Sequence, residues 1–297
     1  MTTAAATSLR DQVSARGHLV GDGAMGTLLQ DRGLEPGEAG ERWNIDRPQE
    51  IAAIHRAYAE AGSLVLTTNT FGGSSARLAM HGLDDRVAEV NREASRIAAG
   101  VASDFGALVA GDIGPSGELI EPLGTLSADA AREMFAEQAA ALADGGADFI
   151  LIETMSDLAE LEAAVLGARD AASHLEVAAT MSFDTNRRTM MGVSPAQAVV
   201  RLAELQVAAA GANCGRGPED MEIVMAEMAG ARPDGVLLVA QTNAGMPHLH
   251  GDHFEYDVGP QELAEHVDRL RGMGVEIVGA CCGSTPAHIA AIATALS

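Results

Sequence analysis

The chain of 297 residues contains no lysine, so all 19 of its basic residues are arginine. Without a lysine amine no Schiff base can form on the protein, which excludes lysine-dependent aldolase and pyridoxal phosphate chemistry. Long apolar runs are also missing: none approaches the roughly 20 residues that span a bilayer, and residues 1–20 lack the apolar core of a secretory signal. We therefore expect a cytoplasmic protein without a membrane-spanning segment.

Positive charge is scarce relative to negative charge. The 42 acidic residues outnumber the basic ones and give a formal net charge of −23. Such a surface repels DNA, RNA and anionic membranes, so we expect no nucleic acid and no membrane as a partner, and a small-molecule substrate instead. Cysteine is rarer still, and three cysteines, an odd number, suit reduced thiols or a metal better than a disulfide framework.

Short apolar runs alternate with amphipathic stretches along the whole chain, as expected for strands that alternate with helices. Eight runs predict strands at 18–21, 63–68, 107–112, 147–153, 175–182, 207–214, 235–242 and 275–281. The stretches between them predict helices at 48–61, 84–102, 127–143, 156–172, 194–205, 218–228, 260–273 and 286–296. Eight strand-helix units predict a (β/α)8 barrel that forms a single domain over residues 1–297, with a doubly wound open sheet as the alternative.

Polar residues stand where each predicted strand ends. They are Asp22, Asn69, Asp112, Glu153, Ser182 with Asp184, Cys214, Thr242 with Asn243, and Cys281 with Cys282. In a barrel the carboxyl ends of the strands surround one pocket, and enzymes of this architecture bind their substrate there. Residues far apart in the sequence are thus expected to meet around one substrate.

The cysteines carry the most specific chemical signal. Cys214 and the adjacent pair Cys281 and Cys282 each stand at the end of a predicted strand and are followed by glycine. Three thiolates that converge on one point, with a fourth position free, describe a zinc site that accepts a ligand or substrate. Two other interpretations stay open: a redox pair at Cys281 and Cys282, or cysteines that act as small buried hydrophobic residues.

Seven segments stand in order along the chain: Asp22-Gly-Ala-Met-Gly-Thr27, Thr68-Asn-Thr-Phe71, Gly111-Asp-Ile-Gly-Pro115, Ile152-Glu-Thr154, Gly211-Ala-Asn-Cys-Gly215, Asn243-Ala-Gly245 and Gly279-Ala-Cys-Cys-Gly-Ser-Thr-Pro286. Together they resemble the homocysteine S-methyltransferase family from end to end. The fold of that family is a (β/α)8 barrel with zinc on three cysteines. The resemblance therefore implies Zn2+ on Cys214, Cys281 and Cys282, with the sulfur of homocysteine in the fourth position.

The same resemblance assigns contacts to the amino acid end of homocysteine. It implies that Asp22 and Glu153 hold the ammonium group, and that the backbone N–H groups of Gly23 and Ala24 receive the carboxylate. Asn69 and Asn243 either orient the substrate or satisfy loop carbonyls, and the sequence leaves both interpretations open.

Three further stretches, at 41–44, 70–77 and 181–193, resemble the betaine-type bacterial enzymes of the family, so glycine betaine or a related small onium compound is the favoured methyl donor. Aromatic faces bind quaternary ammonium ions, and Trp43 is the expected contact, with Phe71 and Tyr256 as neighbours. The chain departs from the animal betaine enzyme at Gly72, where that enzyme has a tyrosine.

Other functions remain compatible with the sequence. Asp22-Gly-Ala-Met-Gly-Thr27 and Glu153-Thr-Met-Ser-Asp157 also resemble the homocysteine-binding module of cobalamin-dependent methionine synthase, which would need a separate corrinoid protein to deliver the methyl group. S-methylmethionine is a further candidate donor. A non-enzymatic sensor barrel would bind zinc in a closed site with a fourth protein ligand such as His253. The sequence does not decide the oligomeric state.

Overall fold

The computed structural model describes residues 8–250 and 253–297. Its strands are β1 (Leu19–Val20), β2 (Val65–Thr67), β3 (Leu108–Ile113), β4 (Phe149–Met155), β5 (Glu176–Met181), β6 (Ala209–Cys214), β7 (Leu237–Thr242), β8 (Pro247–His250), β9 (His253–Tyr256) and β10 (Ile277–Ala280). Eight of them form one parallel sheet in the order β1, β10, β7, β6, β5, β4, β3, β2, and β8 pairs with β9 in an antiparallel hairpin.

The two end strands of the sheet meet and nearly close it. Gly21, just after β1, forms a parallel bridge with Val65 of β2, and the N–H of Leu64 donates to the Val20 carbonyl at 2.7 Å. The predicted (β/α)8 barrel is therefore confirmed.

Helices surround the strands. They are α1 (Leu9–Arg16), α2 (Met25–Asp31), α3 (Trp43–Asp46), α4 (Pro48–Glu60), α5 (Ser75–Ala79), α6 (Val87–Phe105), α7 (Ala128–Gly145), α8 (Leu158–Ala171), α9 (Pro195–Glu204), α10 (Pro218–Ala231), α11 (Pro260–Gly272) and α12 (Pro286–Ala295). The predicted helices correspond to α4 and α6–α12. Among the described helices, none combines the length and apolar character needed to cross a membrane.

Helix α1 is an element that the apolar periodicity did not predict. It begins after Ser8, whose side chain caps the Asp11 N–H, and it ends at Gly17 in the left-handed conformation. Its two buried residues, Leu9 and Val13, join the apolar cluster that fills the interior of the barrel. Two large apolar residues in eight give too weak a pattern to identify a helix from sequence, although they suffice to pack it against the barrel.

The interior of the barrel changes from apolar to acidic towards the carboxyl ends of β3 and β4. Ala110 of β3 and Leu151 of β4 belong to the apolar interior cluster. Side chains alternate along a strand, so Asp112 and Glu153, two residues further on, face the same interior one layer nearer the carboxyl ends. The apolar filling of the barrel is thus covered by acidic side chains at the end where barrel enzymes bind substrates.

Candidate metal centre and substrate cavity

The three cysteines lie together at the carboxyl ends of β6 and β10. Their Sγ atoms are all within 4.8 Å of one another, and those of Cys214 and Cys281 are 3.1 Å apart. All three are free thiols; Cys282 is exposed and the other two are half-buried. The chain thus brings residues that are 67 positions apart into one cluster with an accessible side.

Strand β7 positions both cysteine segments. Cys214 pairs with Thr242 in the parallel register, and the N–H of Cys281 donates to the Thr242 carbonyl at 2.9 Å. Cys214 has a φ of 60° and Gly283, after the cysteine pair, has a φ of 78°. A non-glycine residue in the left-handed region costs of the order of 1 kcal/mol, so neighbouring contacts must hold Cys214 there.

Asn213 supplies those contacts and was missed as a site residue in the sequence. Its side chain is fully buried. Its Oδ1 atom accepts hydrogen bonds from the Thr154 N–H (2.8 Å) and the Thr180 hydroxyl (2.7 Å), and its Nδ2 atom donates to Thr154 Oγ1 (2.6 Å) and to Cys214 Sγ (3.4 Å). One amide therefore joins β4, β5 and β6 beside the thiol cluster. Its place directly before a cysteine in Gly211-Ala-Asn-Cys-Gly215 was the available signal.

The thiol cluster fits zinc. Zn–S bonds of about 2.3 Å in a tetrahedral site place neighbouring sulfurs about 3.8 Å apart, a separation that three thiols within 4.8 Å can adopt with small side-chain movements. Hydrogen bonds from Cys214 and Cys281 lower the pKa of the Cys282 thiol to about 3, and the contacts with Cys214 and Cys282 raise the pKa of Cys281. A soft divalent cation relieves this competition, because it allows all three sulfurs to be thiolates.

A cavity of about 500 Å³ opens beside the thiols, and all three cysteines lie in its wall. The acidic residues of the wall are Asp22, Glu38, Glu41, Asp112 and Glu153. The basic residues of the wall are Arg77 and His81. The volume lies within the range of small-molecule sites, and the excess of carboxyl groups favours a ligand that carries positive charge.

Asp22 and Glu153, the residues that the resemblance assigns to an ammonium group, are both buried in this wall. Asp22 accepts hydrogen bonds from the N–H and the hydroxyl of Thr67, both at 2.7 Å, and Glu153 accepts one from Gln241 Nε2 at 3.4 Å. Burial raises the pKa of Asp22 and that of Glu153 to about 7, and the charge of Asp22 adds to the effect on Glu153. A bound cation would stabilise the charged form of both carboxyl groups.

Gly23 and Ala24 form the segment of the wall that follows Asp22. A Cβ atom at Gly23 would lie 2.6 Å from Ser284 Oγ and 2.9 Å from Tyr58 Cε1, so only glycine fits there. The Ala24 N–H donates to Ser284 Oγ at 3.0 Å, and the Ser284 hydroxyl donates to the Cys281 carbonyl at 2.7 Å. The Ala24 N–H, expected to receive a carboxylate, thus already has a partner that links this segment to the cysteine pair.

The two asparagines predicted near the substrate lie in different places. Asn69 lines the cavity, but its Nδ2 atom donates to the Gly40 carbonyl (2.8 Å) and to Asn44 Oδ1 (3.0 Å). Asn243 is buried outside the wall, where its Nδ2 atom donates to the Gly215 carbonyl at 2.9 Å. Both amides satisfy loop carbonyls in this structure.

Trp43 does not lie in the cavity wall. Its side chain is 4% exposed and packs in the main hydrophobic core, and the guanidinium of Arg47 lies 4.3 Å from the centre of its ring. Phe71, by contrast, lines the cavity and is 38% exposed. The side chain of His253, the suggested fourth ligand of a closed zinc site, lies outside the described residues.

Comparison with known proteins identifies relatives along nearly the whole chain. Residues 19–296 match the family model described as homocysteine S-methyltransferase. The chain is 36% identical to a methionine synthase from Mycobacterium tuberculosis and 35% identical to one from Mycobacterium leprae, over 98% and 94% of its own length. It spans only about a quarter of those relatives, 25% and 24%. The homocysteine methyltransferase MmuM from Escherichia coli has the same fold, with a TM-score of 0.81 at 24% identity over 96% of this chain and 99% of that one.

Proposed function

The chain belongs to the homocysteine S-methyltransferase family, and on this premise we propose that it transfers a methyl group from a small onium donor, with glycine betaine favoured, to the sulfur of homocysteine, giving methionine. One observation carries the proposal: three free thiols within 4.8 Å stand in the wall of a cavity that also contains the buried carboxyl groups of Asp22 and Glu153. The thiols suit a metal that binds sulfur, and the carboxyl groups suit an ammonium group.

Cys214, Cys281 and Cys282 would hold Zn2+. When bound, the metal lowers the pKa of a thiol in its open position and so supplies a thiolate at neutral pH. Asn213 orients Cys214 through its contact with Sγ. Thr242 fixes the backbone of Cys214 on one side and that of Cys281 on the other. These contacts matter because the residues that hydrogen-bond to metal ligands typically contribute 10–100-fold to metal affinity or activity.

The protein would act mainly by alignment. Asp22 and Glu153 bind the ammonium group of homocysteine, which fixes the direction of its sulfur relative to the donor. The sulfur forms a bond to the methyl carbon while the bond from that carbon to the onium atom breaks. The onium atom keeps the electron pair of the broken bond and becomes uncharged, so no proton transfer to the donor is needed.

A second candidate function is that of a homocysteine-binding module that receives its methyl group from a corrinoid protein. The identity of 36% to a relative named methionine synthase favours it, since the chain matches about a quarter of that protein. A zinc-binding sensor barrel is a third, non-enzymatic candidate. Among the described residues only the three cysteines form a possible metal-binding group, and three protein ligands with the fourth position left for a substrate would suit the enzyme rather than the sensor.

The test is a donor panel with the zinc-loaded protein and homocysteine. Glycine betaine, dimethylsulfoniopropionate, S-methylmethionine and methylcobalamin are supplied separately, and methionine is measured by chromatography. Turnover with an onium compound supports the proposal, and turnover with methylcobalamin alone supports the corrinoid alternative. Bound zinc without methionine from any donor would contradict both and favour the sensor.

Asp22→Asn should stabilise the metal-free, ligand-free protein at pH 8 while it weakens homocysteine binding. Burial raises the pKa of Asp22 from 3.8 to about 7, so the folded state binds the proton more tightly than the unfolded state. This contribution to stability is present below about pH 4 and is lost as the pH rises to about 7. Asparagine can accept from the Thr67 N–H with its oxygen and donate to the Thr67 hydroxyl oxygen with its NH2 group, so it can keep a contact with each group without the buried charge. We expect a gain of about 4 kcal/mol at pH 8 and none near pH 3.

Urea unfolding at the two pH values measures the difference between Asp22→Asn and the native protein, and calorimetry measures homocysteine binding. Asp234→Asn is the matched control. Asp234 is exposed, so this substitution removes the same charge from a position where the carboxylate is solvated. An Asp22→Asn protein that is less stable than the native one at pH 8 would contradict the assigned cost of the buried carboxylate.

Phe71→Leu should raise the KM for an onium donor by roughly 3- to 30-fold, as expected for the loss of a cation–π contact. Among the described residues, Phe71 is the Phe, Tyr or Trp side chain that lines the cavity, so we propose it, rather than the core residue Trp43, as the donor contact. Phe105→Leu makes the same change under Arg56 outside the site and should leave the KM unchanged. Steady-state kinetics with varied donor concentration measures the KM of both variants. Equal KM values would contradict the role of Phe71 as the donor contact.

A further inference from the structure

A hydrogen-bonded network leads from the end of β7 to the protein surface through α11 and α10. The hydroxyl of Thr242, the last residue of β7, lies 3.0 Å from Nε2 of His266 in α11. Nδ1 of His266 lies 2.8 Å from Oε1 of Glu222 in α10, and Arg269 Nε donates to the same oxygen at 2.8 Å. Thr242 and His266 are fully buried, whereas Glu222 is half-buried and Arg269 is exposed.

The chemistry of these groups fixes the direction of each hydrogen bond. Burial raises the pKa of Glu222, but the hydrogen bonds from His266 and Arg269 outweigh it and leave the pKa below its usual range. The carboxyl group is therefore ionised at neutral pH and can only accept, so Nδ1 of His266 carries the proton. Burial lowers the pKa of His266, so the ring is neutral and its Nε2 atom accepts from the Thr242 hydroxyl.

Thr242 also contacts both segments that supply the thiols. Its carbonyl accepts from the Cys281 N–H at 2.9 Å, and it pairs with Cys214 in the register of β6 and β7. The helices of the network adjoin these segments in the sequence, because α10 follows Cys214 and α11 precedes the strand that leads to Cys281. The network thus joins, on the helix side of the sheet, the two segments whose thiols meet at the cavity.

The network fixes orientation, which apolar packing of the same volume would not do. A fully buried hydroxyl and imidazole lose their contacts with water, and only hydrogen bonds compensate for that loss. A buried polar network in which each group has its partner holds its members rigidly. The side chain of Thr242 and the ring of His266 are therefore held in one orientation each, and the end of β7 is fixed relative to α10 and α11.

We propose that Glu222 and His266 are positioning residues for the metal centre, which act through Thr242 to hold the segments of Cys214 and Cys281 in the arrangement that binds Zn2+. Neither Glu222 nor His266 lies in the cavity wall, so both act through the backbone at the end of β7 and not through contact with a substrate. The inference rests on the metal centre of the proposed function, because it takes the three cysteines as zinc ligands.

Competition between the protein and a chelator for zinc, without homocysteine or a methyl donor, tests this assignment. Thr242→Val keeps the shape of the side chain and removes the hydroxyl. We expect it to lower zinc affinity by roughly 10-fold, the lower end of the effect of residues around metal ligands. Thr242→Ser keeps the hydroxyl and should restore the native affinity. Glu222→Ala removes the partly exposed end of the network and should lower zinc affinity by more than about threefold, because the His266 ring loses the acceptor that fixes its proton on Nδ1.

Cobalt in place of zinc supplies a second readout. The absorption of Co2+ bound to thiolates depends on the geometry of the site, so it reports the arrangement of the sulfurs independently of the stability of the protein. Thr242→Val and Glu222→Ala should shift this absorption, whereas Thr242→Ser should not. If Thr242→Val does not fold, Glu222→Ala decides the outcome.

Glu162→Ala is the matched control for Glu222→Ala. Glu162 is a half-buried glutamate of α8 that accepts from Arg201 of α9 at 2.7 and 2.9 Å, so its loss removes an ion pair between two helices that does not extend to a strand end. It should keep the native zinc affinity. A lower urea midpoint with native zinc affinity and a native Co2+ spectrum in Thr242→Val and Glu222→Ala would show that the network only stabilises the fold, and would overturn the assignment while leaving the proposed function intact. Failure of the native protein to bind zinc would overturn the metal centre of the proposed function and this assignment with it.

Discussion

Cys214→Ala will lower zinc affinity by at least about 100-fold and abolish methionine formation. The substitution removes one of three sulfurs that lie within 4.8 Å, and two thiols alone cannot form the three-sulfur site. Structural zinc sites have binding free energies of about 10–16 kcal/mol, so each ligand contributes several kcal/mol. Metal content after competition with a chelator measures the first effect, and chromatography of methionine measures the second.

The chain has no fourth cysteine to serve as a matched control, so the variant must be shown to fold. Alanine at 214 keeps the backbone contacts with Thr242 and loses only the contacts of Sγ. Urea unfolding of the metal-free protein should thus stay within about 1 kcal/mol of the native value. Native zinc affinity with full activity would refute the metal centre. Activity that survives chelation in the native protein would instead support the redox interpretation of Cys281 and Cys282.

Most of the barrel could be predicted because its signals are local. Each apolar run and each amphipathic stretch has its own period, and caps such as Ser127 and Ser194 mark where helices begin. The hairpin of β8 and β9 and the helix α1 were missed, since short elements carry few apolar residues and depend on the surface against which they pack.

The sequence predicts which residue types form the candidate site and at which strand ends they lie. It predicts the individual contacts of these residues less well. The rule that strand ends share one rim brings Cys214 towards Cys281, and the structure has these thiols 3.1 Å apart. Trp43 shows the limit: its chemistry suits an onium ion, but the short helix α3 turns it into the core beneath Arg47. The side on which a residue of a short helix lies depends on tertiary packing, which sequence period does not encode.

Gly211 links the stability of the barrel to the thiol cluster. It lies in β6 opposite Val239 of β7, and a Cβ atom there would lie 1.7 Å from the Val239 carbonyl oxygen and 2.7 Å from its carbon. Both atoms belong to the backbone, so no side chain can move aside to make room. The register of β6 and β7 continues from Gly211 to Cys214, which pairs with Thr242. A displacement at Gly211 is therefore expected to reach the metal-binding end of the strand.

Gly211→Ala will lower the free energy of unfolding by more than about 3 kcal/mol and weaken zinc binding in the fraction that folds. The added methyl group forces two paired strands of the nearly closed sheet apart, and each is held on its other side by a further strand. Urea unfolding and chelator competition measure the two effects. Gly230→Ala is the matched control: Gly230 is exposed in α10, nothing lies within 4 Å of its added Cβ, and the change should stabilise by up to about 1 kcal/mol. If both variants unfold at the native urea concentration, the close approach of β6 and β7 does not require glycine, and the coupling of the barrel register to Cys214 is wrong.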